Sequence, residues 1–219
     1  MKALLVDDHA LFREGLSMLM AQRFPEVELF DVADITDAQA VLATEPGIEL
    51  ILLDLGLPDS QGLDSLQRLR SVAAEVPIVV MSADERPETI VAALDQGAAG
   101  FIPKTARVGA IESALRVVLD GGIYLPSAVF RSVAPAASDG LDEPDMQAAL
   151  IRAIGLSPRQ FEVLRLLVLG RANKLISREL GVAESTIKTH LLVLFRKLDV
   201  NTRAQAMVKA ARLGIRFDP

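Results

Sequence analysis

Adjacent aspartates at 7 and 8 follow directly on the apolar run ALLV (residues 3–6), and a third, Asp54, ends the run ILLD. Ser82 closes IVVMS, and Lys104 follows GFIP. If these runs are neighbouring parallel strands, their ends meet in one crevice, and groups far apart in sequence become neighbours. Three carboxylates gathered there repel strongly, each close pair by about 4 kcal/mol at 4 Å with an effective dielectric near 20. A divalent cation relieves that repulsion, and hard oxygen ligands with open water positions suit Mg²⁺. Asp7 and Asp8 are candidate ligands, Asp8 the direct one, and Gly56, two residues beyond Asp54, can offer its backbone carbonyl. Asp54 then becomes a nucleophile for phosphoryl transfer, with Lys104 and the Ser82 hydroxyl meeting the phosphoryl oxygens. The competing use of Asp7 and Asp8 is structural: an N-cap for a helix preceding Leu11.

The elements that would hold these groups are legible in the hydrophobic pattern. Strands are expected at Ala3–Val6, Glu28–Val32, Leu50–Asp54, Ile78–Ser82 and Gly100–Ile102. Amphipathic helices are expected between and after them at Leu11–Ala21, Thr36–Leu42, Leu63–Ala73, Thr89–Gln96 and Val108–Leu119. Five strand–helix repeats in succession specify an α/β fold, a doubly wound five-stranded parallel sheet covered on both faces. Such sheets bind ligands beyond the carboxyl ends of their strands, where Asp7, Asp54 and Ser82 stand.

The chain has 219 residues, enough for two domains, and 51% apolar with 24% charged content is ordinary for a globular protein. Without cysteine there is no disulfide framework, thiolate metal site or cysteine nucleophile. No run of eighteen apolar residues occurs, and Asp7, Asp8 and His9 interrupt the place of a secretory signal, so a cytoplasmic location is expected. Charge is divided unevenly. Residues 1–130 carry 9 Lys and Arg against 20 Asp and Glu, net −11, whereas residues 155–219 carry 12 against 5, net +7. A basic third on an acidic chain is the electrostatic footprint of a module for nucleic acid.

Between the two lies a stretch rich in Gly, Pro, Ser, Ala and Asp, read as a linker over residues 126–154, with a short helix possible at Asp145–Ile154. Beyond it, helices are expected at Pro158–Leu169, Asn173–Leu180, Ser185–Leu198 and Arg203–Leu213, forming a small all-α domain over 155–219. The second and third, joined through Gly181-Val182, have helix-turn-helix proportions, with Ser185 placed to cap the third.

The motifs VDDH, LLDLGLPDSQG, VMSA and GAAGFIPK over residues 1–125 resemble the receiver domain of two-component response regulators. That resemblance implies a flavodoxin-like fold, Mg²⁺-dependent phosphorylation of Asp54 by a sensor histidine kinase or a small acyl phosphate, and a switch in which Phe101 turns inward with Ser82. Pro103 before Lys104 departs from receivers in which a proline follows the lysine. The segment from LSPRQ to MVKA is similar to the LuxR-type helix-turn-helix domain of the NarL/FixJ class. By that resemblance the partner is double-stranded DNA, bound by a homodimer formed on activation. Lys188 and Thr189 face the duplex near the helix start, Lys174, Arg196 and Lys197 are candidates for phosphates, and His190 is a structural or phosphate contact. The run Leu191–Phe195 is apolar where such domains carry polar groups, and Leu175 replaces an acidic residue. These departures leave room for a module that binds a protein instead of DNA. A phosphohydrolase using Asp54 is a further alternative, weakened because Gly56 stands where such enzymes carry a second aspartate.

Overall fold

The computed structural model describes residues 1–60, 62–126, 129, 154–213 and 215. The chain divides into two compact units, Met1–Leu115 and Arg116–Pro219. In the first, β1 (Lys2–Val6), β2 (Glu28–Val32), β3 (Ile48–Asp54), β4 (Ile78–Ser82) and β5 (Gly100–Pro103) alternate with α1 (Ala10–Arg23), α2 (Ile35–Thr44), α3 (Asp64–Val72), α4 (Pro87–Asp95) and α5 (Val108–Leu119), the last of which runs across the division at Leu115. The five strands are all parallel, in the order β2-β1-β3-β4-β5.

Side chains explain both the order and the burial. β1, β3 and β4 carry the apolar runs Ala3–Val6, Leu50–Leu53 and Ile78–Met81 because both of their faces are covered there: Leu4, Leu5, Ile51, Leu52, Leu53, Val80 and Met81 are fully buried. β2 lies at an edge and is less covered, leaving Glu28 and Asp31 exposed and Leu29, Phe30 and Val32 half-buried. Since β2 and β3 flank β1 on opposite sides, the chain reverses direction across the sheet at β1, and a crevice opens there beyond the strand ends. The register puts Val6 beside Leu53, Asp54 beside Met81 and Ser82 beside Pro103, which aligns the polar ends. Asp59 fastens the β3–α3 loop, accepting the backbone N–H groups of Ile35 and Thr36 at the start of α2, both at 3.3 Å.

The ten elements expected between Ala3 and Leu119 all occur, with strand boundaries moved by backbone pairing that hydropathy does not report. Lys2 extends β1 by pairing with Glu28 and Ile48, and β3 begins two residues early, at Ile48, across the charged Glu49. α4 begins at Pro87, a residue suited to the first helical turn, where an N–H is not needed.

The second unit holds four described helices after α5: α6 (Pro158–Val168), α7 (Asn173–Leu180), α8 (Glu184–Leu198) and α9 (Arg203–Arg212). Their core comprises Leu164, Leu167, Ile176, Ile187, Leu194 and Met207. Ser157 with Gln160 and Thr202 with Gln205 form capping boxes that begin α6 and α9. Gly181 turns α7 into α8 at φ 64°, a left-handed conformation that glycine adopts without a Cβ penalty. Arg203 reaches from α9 to the Asn173 side chain at 2.9 Å and to the Arg171 carbonyl; burial lowers its guanidinium to about 10, so it stays charged at neutral pH. The linker expected at 126–154 and its short helix lie outside the described residues, apart from Pro126, Val129 and Ile154.

Because the Thr202 hydroxyl accepts the Gln205 N–H and Gln205 returns the bond, Thr202→Ala is expected to destabilise the C-terminal unit by about 1 kcal/mol. Urea denaturation followed by helical circular dichroism, set beside the first unit's transition, measures it.

Candidate phosphoryl-acceptor site and nucleic-acid face

At the crevice beyond β1, β3 and β4, Asp7 is fully buried, Asp54 is 3% exposed and Ser82 is 6% exposed. The Lys104 ammonium lies 2.6 Å from Asp7 Oδ2 and 2.7 Å from Asp54 Oδ2, bridging carboxylates 47 positions apart in the chain. Its backbone N–H donates to the Ser82 carbonyl at 2.9 Å, so the residue after β5 is tied to the end of β4. Pro103 pairs with Ser82 within the sheet, and the reversed order of proline and lysine does not keep the ammonium from the crevice. The same ammonium stands 4.8 Å from the centre of the Phe12 ring, a second attraction holding it in place.

His9 also belongs to this site. Its Nδ1 lies 2.7 Å from Asp8 Oδ1, 3.4 Å from Asp7 Oδ1 and 3.8 Å from Asp54 Oδ2. Ligand atoms of Asp7, Asp8, His9 and Asp54 all fall within 4.8 Å of one another. The sequence signal for His9 was its place directly after the paired aspartates; only the fold shows that its ring bends back over them.

Capping does not explain the aspartates. α1 has His9 at its N-cap and no side-chain cap bond, whereas Asp7 Oδ1 accepts the His9 N–H at 2.9 Å in a local turn. Asp7 Oδ2 and Asp8 Oδ1 are shielded from solvent yet make no aligned hydrogen bond, although Asp7 Oδ2 lies 2.6 Å from the Lys104 ammonium and Asp8 Oδ1 2.7 Å from His9 Nδ1. Carboxylate oxygens in that condition fit a hard divalent cation such as Mg²⁺. The backbone at Gly56 passes close by, since a Cβ there would stand 3.4 Å from Asp54 Oδ2. Phe101 on β5 is fully buried. The Ser82 hydroxyl accepts the Asp84 N–H at 3.1 Å. Hydrogen bonds from Arg86 and Thr89 hold the Asp84 carboxyl well below the usual carboxylate range, and the Thr89 hydroxyl ties the loop after Ser82 to α4.

In the second unit, Lys174, Lys188, Thr189, Arg196 and Lys197 are exposed and His190 is half-buried. They do not share one face. Lys197 turns to α6, bonding the Gly155 carbonyl and Gln160 Oε1, the latter at 2.9 Å, which occupies its ammonium within the module. Ser185 does not cap α8: the helix starts one residue earlier, Ala183 holds the N-cap position, and the Ser185 carbonyl accepts the Thr189 hydroxyl at 3.1 Å. The apolar run also resolves differently from its sequence. Leu191 and Leu194 join Ile187 and Leu198 in the core, Val193 and Phe195 are half-buried, and Leu192 alone of the five is exposed, at 73%.

Residues 3–116 match the response regulator receiver domain, and residues 155–210 match the bacterial regulatory proteins of the luxR family. The chain is a response regulator of the NarL/FixJ class. Among its relatives, the glycerol metabolism activator of Pseudomonas putida is 34% identical over 95% of this chain and 94% of its own length. The nitrate/nitrite response regulator NarL of Escherichia coli K12 is 31% identical over 94% and 92%. Of solved structures, a LuxR family DNA-binding response regulator from Silicibacter pomeroyi covers 58% of this chain and 98% of its own, at 33% identity and a TM-score of 0.50. The RcsB response regulator of Salmonella typhimurium covers 94% and 96% at 22% identity and a TM-score of 0.55, a likeness of fold.

In this response regulator, Lys104 is the countercharge for two buried carboxylates. Lys104→Met should therefore destabilise the receiver by about 3–5 kcal/mol, the cost of breaking a buried pair from one side. Melting temperatures with and without millimolar Mg²⁺ measure the effect, and added Mg²⁺ should raise the variant's more than the native protein's.

Proposed function

We propose that this chain is a DNA-binding transcription regulator switched by phosphorylation of Asp54. The observation that carries the reading is the Lys104 ammonium held between Asp7 and Asp54 at the strand ends. A sensor histidine kinase or a small acyl phosphate donates the phosphoryl group: an Asp54 oxygen bonds to phosphorus as the bond to the donor's nitrogen or oxygen breaks. Asp7, Asp8, Asp54 and the Gly56 carbonyl would hold Mg²⁺, which supplies charge neutralisation for the phosphoryl oxygens. Lys104 is already beside Asp54 and can follow the charge onto the new oxygens, and the Ser82 hydroxyl at the end of β4 would donate to them. His9, more exposed, screens the same carboxylates from the solvent side.

The phosphoryl group adds roughly −1.5 to −2 charges. That charge is screened within about 8 Å at physiological salt, so the signal has to travel through a rearrangement of packing. We assign this to β4, α4 and β5, with Ser82 and Phe101 as the moving contacts. A shift from 1:99 to 99:1 needs about 5.5 kcal/mol of differential stabilisation, and dimerisation on paired half-sites adds to what one modification supplies. The functional parts are a receiver over 1–125, a linker over 126–154 and a helix-turn-helix module over 155–219, with α8 in the major groove of double-stranded DNA and a homodimer as the active form. The net +7 of residues 155–219 supports duplex DNA over a protein as the partner of that module. Family membership supports a regulator over the phosphohydrolase alternative. A cytoplasmic place follows from a DNA partner; no described helix is long and apolar enough to cross a membrane.

With acetyl phosphate and Mg²⁺, the intact protein is expected to gain the mass of one phosphoryl group. Chelation or Asp54→Ala should abolish the gain; retention in Asp54→Ala would move the acceptor elsewhere. Beryllium fluoride should shift gel filtration towards a dimer and tighten binding to selected DNA. Log affinity should fall with log salt at a slope near −0.9 per phosphate neutralised; identical elution and affinity with and without the mimic would refute the coupling.

A further inference from the structure

The exposed face of α8 is lined by Ser185, Lys188, Thr189, Leu192 and Arg196, at spacings of three and four that place them along one side of a helix. The opposite side, Ile187, Leu191, Leu194 and Leu198, is the module's core. Leu192 is thus turned fully away from the packing that accounts for every other leucine of the helix, and at 73% exposure it occupies the middle of a face whose flanks are cationic. Lys188 one turn before it and Arg196 one turn after it are complementary to a polyanion, while the side chain between them has no hydrogen-bonding atom. On duplex DNA, the partner of opposite charge, the base-edge feature such a side chain can contact favourably is the C5-methyl of thymine, which projects into the major groove.

We propose that Leu192 is a specificity-determining residue that recognises a thymine methyl, with Lys188 and Arg196 fixing the helix on the flanking backbone. The proposal rests on the reading that α8 enters the major groove. The core leucines do not contribute, because they are buried. Leu192 therefore sets a preference at one position of each half-site, by apolar contact.

Full-length protein treated with Mg²⁺ and beryllium fluoride is used to select binding sites from random duplex DNA. Each thymine of the selected site is then replaced singly by deoxyuridine, which removes the methyl group and leaves pairing intact. Binding is measured by fluorescence anisotropy at fixed salt. One thymine per half-site is expected to show about a four-fold loss in affinity on replacement, the scale of burying one methyl group. In Leu192→Ala the loss at that position should vanish, with the salt slope unchanged, and Leu192→Lys should select a different base there. If no deoxyuridine weakens binding, or if Leu192→Ala keeps the same loss, DNA binding stands and the methyl contact is refuted. If the treated protein selects no DNA at all, the groove reading fails and this proposal fails with it. Leu192 contributes little to folding from its exposed position, and unchanged thermal melting of both variants would separate a contact effect from misfolding.

Discussion

Two buried carboxylates facing one ammonium is the constraint on which the first unit depends. Asp7 follows β1 directly and Asp54 ends β3, each after a buried apolar run, Ala3–Val6 and Leu50–Leu53, and both are buried. Bringing them together is costly unless positive charge lies between them, and Lys104 supplies it from β5, the far side of β4. The same geometry gathers ligand atoms of Asp7, Asp8, His9 and Asp54 within 4.8 Å of one another, a donor set that fits a hard cation. The buried charge of the first unit is balanced within one triangle of atoms.

The sheet makes this triangle possible through its order. With β1 placed between β2 and β3, the loops after β1 and β3 part in opposite directions and leave a crevice at their junction. The Asp59 carboxylate holds the loop after β3 against the start of α2, and the Lys104 N–H holds the exit of β5 against the Ser82 carbonyl. The Arg86–Asp84 pair, being exposed, adds little energy but orders the chain that follows Ser82.

The C-terminal unit works on a different principle. Its helices are short, and their ends are defined by capping boxes at Ser157 and Thr202 and by the left-handed Gly181. Packing uses one side of α8 and leaves the other free. The division of work along that helix, leucines and isoleucine inward and Lys188, Thr189, Leu192 and Arg196 outward, converts an unbroken apolar run into a surface with a single apolar point. Lys197 shows the reverse: a cation that the sequence offers to DNA is engaged by α6.

The sequence alone determined the succession of strands and helices, the acidic and basic segments, and the polar residues at the ends of the first, third, fourth and fifth strands. Apolar periodicity and composition are local properties, carried by each segment wherever it packs, so Asp7, Asp54, Ser82 and Lys104 were recognisable before any neighbour was known. What only the tertiary structure decided were relations among segments. Strand boundaries at Lys2 and Ile48 follow from backbone pairing across the sheet. The place of His9 follows from a turn that bends its ring over Asp8. The fate of Leu191 to Phe195 follows from which side of α8 meets α6 and α7, because a helix distributes consecutive residues around its axis and hydropathy alone does not say which of them the core will take.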